Sequence, residues 1–392
     1  MKDSIVSLDP NDLIAEAEAA TGLADFGDWP FREALAQLLQ SLDTEAGLTT
    51  AGRAVHRQRI VDILRTRLRF EAYLKRHPEI LDERIGAPVF ILGLPRTGTT
   101  LLQRLLAADP RFHSAAFWET RFPVPFEELD FADPADPRID TTRAEVAGML
   151  AAVPELASIH PLEAEAADEE ITLLEQSFYS TNPLASANVP GFGAWVESQD
   201  QTGGYRYLKQ LLQFLQWQKR QRGIEAERWV LKSPHHIHHL EVLLKVFPDA
   251  RVIQTHRDPL QTIPSLASFV HTLRRLTSDS CRAEAAGEQW SLKMARGLAH
   301  CLAVRDGASP DVFLDIAFEE TVGDPMRVLE KVYAFLGTPL TDGALAAIAR
   351  WRAANPREKR APHHYSLAQF GLSEAQIARD FAQYRERYGF AR

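Results

Sequence analysis

The chain has 392 residues, 45% of them hydrophobic and 25% charged, which is typical of a globular protein with a large buried core. A formal net charge of −9 argues against a general nucleic-acid binder, although it is compatible with a local basic pocket. Two cysteines, Cys281 and Cys301, are too few for a disulfide framework or a metal cluster and fit a reducing compartment.

The hydropathy pattern indicates neither secretion nor membrane insertion. The first residues, MKDSIVSLDPND, lack the apolar run of a signal peptide. No stretch approaches the roughly 18 consecutive apolar residues that a membrane span needs. We therefore expect a soluble, cytoplasmic protein.

Residues 1–85 carry a helical pattern. Apolar residues recur at helical spacing in Pro30–Leu42 and more strongly in Thr49–Arg76, where arginine and lysine occupy the opposite face. Such alternation is typical of a solvated helix face and not of a stripe that binds nucleic acid. We predict an N-terminal helical segment packed on a larger domain, residues 86–392.

From residue 86 the pattern changes to strands that alternate with helices. Val89–Leu94 is a short apolar run that ends in turn residues and precedes the helical pattern Thr99–Ala108. Three more strands, each followed by a helix, are predicted at Trp229–Leu231 (before the helix His235–Val246), Arg251–Thr255 (before a helix from Pro259) and Val312–Ile316 (before Pro325–Leu336). This alternation predicts a three-layer α/β fold, with a mainly parallel sheet between helices and ligands at the carboxyl ends of its strands.

A long, mostly helical insertion at residues 123–223 interrupts this alternation. Its acidic stretch Glu163–Glu170 is expected to be largely a solvated helix face, although Glu169 or Glu170 could orient a base or bind an acceptor group. Asn182–Gly193 is rich in Pro, Gly, Ala and Asn and is predicted to be a loop. An insertion of this size beside a nucleotide site is a reasonable cap for binding an acceptor.

The sequence GLPRTGTT, residues 93–100, stands between the first strand and its helix and is a candidate phosphate-binding loop. Glycines permit a tight turn, and successive backbone N–H groups at a helix N-terminus hold an anion. In a nucleotide-triphosphatase loop, G-x-x-x-x-G-K-[ST], a lysine would stand where this chain has Thr99. Arg96 supplies a cation from inside the loop instead. We therefore predict a loop for phosphate or sulfate, and not for a triphosphate with magnesium.

A second constellation follows the strand Arg251–Thr255. Arg257 lies at its carboxyl end, and Ser265 follows eight residues later on the next predicted helix. A guanidinium and a hydroxyl placed in this way could converge on one phosphate through charge-assisted hydrogen bonds. Alone the pair is a weak signal, because Arg-Asp-Pro also fits a helix-capping turn.

Together, the loop and the pair make the sequence resemble the sulfotransferases that use 3′-phosphoadenosine 5′-phosphosulfate (PAPS). LPRTGTT is similar to that family's 5′-phosphosulfate loop, commonly PKSGTT, and Arg257 and Ser265 match the spacing of its 3′-phosphate pair. The likeness is closest to a bacterial branch with LPRTGTT and LKSPxH segments, related to modules of some polyketide synthases. It covers roughly residues 88–120 and 225–340 and a C-terminal element. It implies a P-loop-like fold, PAPS as donor and adenosine 3′,5′-bisphosphate (PAP) as product.

The resemblance also implies a set of donor-binding residues. Those that would hold the 5′-phosphosulfate are Arg96, Thr97, Gly98, Thr99 and Thr100. Arg257 and Ser265 would hold the 3′-phosphate. Arg96 replaces the family's loop lysine, and as an always charged, planar fork it should preserve binding of the phosphosulfate.

Many sulfotransferases close the donor site with a basic C-terminal loop. By that resemblance Lys359, Arg360 and Tyr365 are candidates for contact with the nucleotide. The usual R-K-G signature is absent, and a charged surface loop fits these residues equally well.

The catalytic candidates lie in the segment Lys232–His235. Many sulfotransferases carry a K-x-H segment at the equivalent strand end, and this likeness makes His235 the first choice of general base, with a spacing one residue longer. In sulfuryl transfer to a hydroxyl, the acceptor loses a proton while negative charge grows on the departing phosphate oxygen. A histidine near neutral pKa can take the proton, and Lys232 and Arg96 can stabilise the charge without a metal.

Three further histidines, His236, His238 and His239, follow closely, and most members of this cluster fit a role in capping or coating a helix. His235 and His239 would share a helix face. Because no third ligand stands in the H-E-x-x-H pattern, we expect no metal site.

Two other functions are compatible with the sequence. A P-loop kinase or hydrolase would need the loop lysine and an acidic strand end that holds magnesium, but Thr99 argues against the first and Asp258 is a poor candidate for the second. An inactive module would bind PAP without turnover, which the unusual Lys232–His235 spacing allows. The acceptor stays open among a hydroxyl or amine of a small molecule, a lipid, a glycan or a carrier-bound chain. A homodimer is possible.

Overall fold

The fold is built on a sheet of five parallel strands, seen in a computed structural model that describes residues 6–156, 162–356 and 365–390. In chain order the strands are β1 (Val89–Gly93), β2 (Phe112–His113), β3 (Arg228–Lys232), β4 (Arg251–His256) and β5 (Phe313–Ala317). Their spatial order is β2-β3-β1-β4-β5, so the carboxyl end of β1 is flanked by those of β3 and β4. The predicted parallel α/β sheet is confirmed. Strand β2 escapes sequence prediction because two residues carry no periodicity.

Helices account for most of the remaining described residues. Before β1 lie α1 (Pro10–Thr21), α2 (Arg32–Thr44) and α3 (Thr50–Arg76), and α4 (Thr99–Ala107) follows β1. Between β2 and β3 lie α5 (Phe117–Arg121), α6 (Pro137–Ala152), α7 (Ile171–Glu175), α8 (Pro183–Ser186), α9 (Pro190–Glu197) and α10 (Thr202–Gln221). Then come α11 (Leu240–Val246), α12 (Pro259–Arg275), α13 (Ala283–Gly307), α14 (Phe318–Gly323), α15 (Pro325–Leu336), α16 (Asp342–Ala354), α17 (Glu374–Asp380) and α18 (Ala382–Arg387). Short 3-10 turns occupy Pro78–Asp82, Pro234–His238, Pro310–Val312 and Ala368–Phe370.

Strand β1 is buried along its whole length, which explains why its sequence is a continuous apolar run. Alternate side chains point to opposite faces of the sheet. Phe90 and Leu92 join one hydrophobic cluster with helices α10 to α13, while Val89 and Ile91 join another with α4 and α15. The two clusters fix the sheet between layers of helices and so hold the strand ends in place.

The N-terminal helices have a core of their own. Leu35 of α2 and Leu64 of α3 are buried there together with Phe178 and Phe192 of the insertion. The helix α3 begins where the Thr49 hydroxyl accepts a hydrogen bond from an N–H of its first turn, as an N-cap should. The two helices predicted in this segment are confirmed. No helix in the described ranges is both long and apolar enough to cross a membrane.

Three local predictions need correction. Asn182–Gly193 is not one loop, because Pro183 and Pro190 each open a short helix, α8 and α9, as first-turn prolines do. The helix predicted from His235 to Val246 is a 3-10 turn followed by α11.

The third correction concerns the acidic stretch, which was expected as a helix face. Residues 162–170 are irregular, and a bridge between Ala116 and Ala167 ties them to the segment after β2. The Glu163 carboxylate accepts a hydrogen bond from buried Arg104 of α4. This stretch therefore lies along α4, the helix that follows the loop after β1.

Candidate active site

The loop after β1 has the shape that an anion cradle requires. Three of its residues have positive φ angles: Gly93 (144°), Arg96 (71°) and Gly98 (87°). A Cβ at Gly93 would lie 2.6 Å from the carbonyl oxygen of Thr255, so only glycine fits there. Arg96 is a non-glycine residue in the left-handed region, an arrangement that costs free energy and clusters at functional sites.

The first turn of α4 completes the cradle. Gly98 is its N-cap residue and offers no side chain, so the leading N–H groups of Thr99 and Thr100 have no side-chain cap. The hydroxyl of Thr97, in contrast, is committed inside the loop. It donates to the Leu94 carbonyl at 2.6 Å and lies 2.6 Å from the Thr255 hydroxyl oxygen, fully buried. For an anion, Thr97 therefore offers its backbone N–H.

Arg257 lies against this loop. Its guanidinium donates to the carbonyl oxygen of Arg96 at 3.0 Å and to Gln261 Oε1 at 2.9 Å. The ring of Phe318, the first residue of α14, lies 3.9 Å below the guanidinium carbon, a close cation–π contact. The pKa of Arg257 is lowered, chiefly by burial, and Tyr365 partly opposes this shift. Tyr365 therefore lies close enough to the Arg257 guanidinium to interact with it electrostatically. The structure thus brings both predicted anion-binding motifs to one edge of the sheet.

The other predicted donor-binding residues fall into two groups. Ser265 lies on α12 and is buried, with 1% of its surface exposed. Tyr365 packs partly buried against the main hydrophobic cluster. Lys359 and Arg360 lie outside the described residues.

Lys232, the last residue of β3, is held by the acidic stretch. Its ammonium group donates to Glu169 Oε1 at 2.5 Å, and its side chain is 1% exposed against 22% for Glu169. Gln103 of α4 donates to the Asp168 carbonyl at 3.0 Å, which fixes this stretch beside α4. Burial raises the pKa of the Asp168 carboxyl. A cation and two carboxylates therefore stand beside α4.

Glu170 turns inward and is fully buried. One carboxylate oxygen accepts the backbone N–H of Lys232 at 2.7 Å, and the other lies 2.6 Å from His236 Nε2. His236 Nδ1 is in turn 2.8 Å from the hydroxyl oxygen of Tyr205. Both nitrogens of His236 are engaged, so this ring stabilises the end of β3.

His235 is placed differently. Ser233 caps the 3-10 turn by accepting the His235 backbone N–H at 3.2 Å, and His235 Nδ1 lies 3.0 Å from the hydroxyl oxygen of Thr181. A proton on Nδ1, donated to Thr181, leaves the lone pair on Nε2, for which the described residues offer no hydrogen-bond partner. Burial first, and then the neighbouring histidines, hold the pKa of His235 well below 6.5. The ring is neutral at pH 7, as a proton acceptor must be.

Some of these groups were not predicted. Thr181 and Phe318 carry no signal in a single sequence, because a threonine in a Pro-rich segment and a phenylalanine after a strand are both ordinary. In the described parts of the chain, no group of three or more His, Cys, Asp or Glu side chains could hold a metal ion.

The protein has a glycine-containing loop between a strand and a helix at the centre of a parallel sheet, and this defines a P-loop-like α/β protein. Thr99 stands where a nucleotide triphosphatase has its loop lysine, and Arg257 follows the neighbouring strand β4. A model of the sulfotransferase family matches residues 88–342, and the chain belongs to that family. It is therefore an enzyme, a sulfotransferase.

Solved structures and a curated relative agree with this assignment. The crystal structure of the sulfotransferase STF1 from Mycobacterium tuberculosis is 30% identical, with a TM-score of 0.83 over 97% of this chain and 100% of that one. The sulfotransferase STF9 from Mycobacterium avium is 28% identical, with a TM-score of 0.85 over 99% and 97%. The omega-hydroxy-beta-dihydromenaquinone-9 sulfotransferase of Mycobacterium bovis is 25% identical over 320 residues, 78% of this chain and 76% of the relative.

Proposed function

We propose that the protein transfers a sulfuryl group from PAPS to a hydroxyl of a lipid-like acceptor, with His235 as general base. The observation that carries the donor assignment is the 3.0 Å hydrogen bond from Arg257 to the Arg96 carbonyl. It joins a cradle suited to a 5′-phosphosulfate with a cation suited to a 3′-phosphate. A nucleotide with anions at both ends of its ribose fits this pair, whereas ATP would leave the second cation without a partner.

In the proposed reaction the loop and the first turn of α4 bind the phosphosulfate through backbone N–H groups. The acceptor oxygen attacks sulfur in line, the sulfur–oxygen bond to the 5′-phosphate breaks, and PAP leaves. His235 Nε2 takes the acceptor's proton, while Arg96 and Lys232 stabilise the charge that grows on the phosphate. When the proton of His235 is on Nδ1 and is donated to Thr181, Nε2 carries the lone pair that this task requires.

The acceptor class rests on the named relative and on the insertion. That relative acts on a hydroxylated menaquinone derivative, as its name states. In this chain residues 123–223 place Thr181 against His235 and Glu169 against Lys232, so the insertion borders the residues proposed to carry out the transfer. We propose it as the acceptor-binding cap.

Calorimetric titration with PAP, and with ATP and Mg²⁺ as the control, tests the donor assignment. We expect tight binding of PAP and weak binding of ATP, followed by turnover when PAPS and a long-chain alcohol are supplied. Preference for ATP would reassign the loop to a different P-loop function. Binding of PAP without turnover on any alcohol or amine would favour the inactive module.

The Lys232–Glu169 ion pair yields a separate prediction. We expect Glu169→Gln to raise the affinity for PAP by roughly three- to tenfold, because a neutral amide no longer competes with the 5′-phosphate for Lys232. Titration calorimetry measures the change, and thermal denaturation shows whether the variant is folded. Glu165→Gln is the control, since that exposed carboxylate pairs with Arg143. An unchanged or lower PAP affinity in Glu169→Gln would refute the competition.

A further inference from the structure

The C-terminal helix α18 lies on the turn that carries Arg257. The hydroxyl oxygen of Tyr384 is 3.0 Å from His256 Nδ1. The ring of Tyr388, just beyond the helix, stacks on His256 at a centroid distance of 3.7 Å and an angle of 22°. Residue 256 is therefore fixed from the C-terminal side by a hydrogen bond and by a stacked ring.

Residue 258 is fixed from the same helix. Arg385 donates through Nε to Asp258 Oδ1 at 3.1 Å and through Nη2 to Asp258 Oδ2 at 3.3 Å, a two-pronged contact. The same guanidinium donates to the carbonyl of Phe390 at 2.7 Å, which orients it. Asp258 also accepts the N–H of Leu260 and so caps α12. The side chains of both Arg385 and Asp258 are largely buried, at 12% and 18% exposure, so the pair is shielded from solvent.

We propose that Tyr384 and Arg385 are positioning residues for recognition of the donor's 3′-phosphate, acting through Arg257, an inference that rests on the proposed function. They hold the residues immediately before and after Arg257, Tyr384 through His256 and Arg385 through Asp258. Side chains of an extended segment alternate in direction. Because the side chains of residues 256 and 258 are bound on the side of α18, the side chain of residue 257 points away from that helix. That direction leads to the Arg96 carbonyl and the Phe318 ring, where the guanidinium lies.

A long arginine side chain recognises a phosphate strongly only when its orientation is fixed in advance, because ordering it on binding costs conformational entropy. Without the contacts from Tyr384 and Arg385, Arg257 would keep its charge, but the orientation of its side chain toward the 3′-phosphate would no longer be fixed. The expected result is a loss of discrimination between nucleotides with and without a 3′-phosphate. A role limited to global stability would weaken the binding of both nucleotides alike.

The test compares the dissociation constants of PAP and of adenosine 5′-monophosphate (AMP), which lacks the 3′-phosphate, by titration calorimetry. For Arg385→Ala we expect PAP binding to weaken about tenfold and AMP binding to stay nearly constant, so that the preference for PAP falls. Arg385→Lys should restore part of the preference. Arg387→Ala is the matched control, since Arg387 lies on the same helix, pairs with Asp306 at 2.5 Å and should leave the preference unchanged.

Tyr384→Phe provides a second variant that removes only the hydroxyl, and it decides the question if Arg385→Ala fails to fold. We expect it to lower the PAP preference about threefold. An unchanged ratio of PAP to AMP affinity in Tyr384→Phe and in every folded Arg385 variant would overturn the positioning role. If the unaltered protein itself shows no preference for PAP over AMP, the proposed donor site fails first, and that outcome is distinguishable.

Discussion

Arg257→Ala should weaken PAP binding by more than about 1.5 kcal/mol, or more than tenfold, as expected for the loss of a charged hydrogen bond. Arg257 is half-buried between the Arg96 carbonyl and the ring of Phe318. Its guanidinium contacts the donor loop at the end of β4, where the 3′-phosphate is proposed to bind. Its removal should therefore affect the 3′-phosphate in particular.

The same measurement separates this specific loss from a general one. AMP affinity should change little in Arg257→Ala, because AMP has no group for that guanidinium. Arg251→Ala is the matched control, since Arg251 starts the same strand and bonds to the Asp311 carbonyl at the opposite end of the sheet. Unchanged PAP affinity in Arg257→Ala would refute the assignment of the 3′-phosphate site.

His235→Ala should leave PAP binding intact and lower the rate of sulfuryl transfer by at least about 100-fold, the usual contribution of a general base. The ring is buried, its Nδ1 is engaged with Thr181, and its pKa lies well below 6.5. A base whose pKa is lowered stays unprotonated as the pH falls. We therefore expect that protonation of His235 does not lower kcat when the pH is reduced from about 8 to about 6.5.

Initial-rate measurements with saturating PAPS across this pH range check both statements. His300→Ala is the control, since His300 is a half-exposed histidine in the second half of α13 and pairs with Glu241 of α11. Substantial residual turnover in His235→Ala would contradict the assignment. It would transfer the role of base to a carboxylate beside Lys232, Glu169 or Asp168.

The parts of the site that are continuous in sequence were predictable, and the contacts that join distant segments were not. Loop 93–100 carries its glycines at a strand–helix junction, so its fold follows from local rules. The contact of Thr181 with His235 spans 54 positions, and that of Glu169 with Lys232 spans 63. Neither pair has a periodicity or spacing to reveal it, because both depend on how the insertion folds back over the sheet.

Secondary structure shows the same division. Helix α3 was predicted to within one residue because its apolar face repeats over many turns and a threonine caps its start. The acidic stretch was predicted as a solvated helix because its composition resembles one. Its actual path is set by partners elsewhere in the chain, among them Arg104 and Lys232. Tertiary contacts override composition wherever a charged segment meets an opposite charge that is already buried.

The buried histidines after β3 should make the protein sensitive to acid. Burial is the first cause that lowers the pKa of His235, His238 and His239, in the last case to about 3. In the unfolded chain these rings titrate near 6.5. Below that pH the unfolded chain therefore binds protons on these histidines that the folded protein does not bind. Each ring then lowers the free energy of unfolding by about 1.4 kcal/mol for every pH unit below 6.5, and the three together lower it by about 4 kcal/mol per pH unit. The free energy of unfolding of a typical protein is only about 5–15 kcal/mol. The burial that keeps His235 unprotonated therefore also sets a lower pH limit for the folded enzyme.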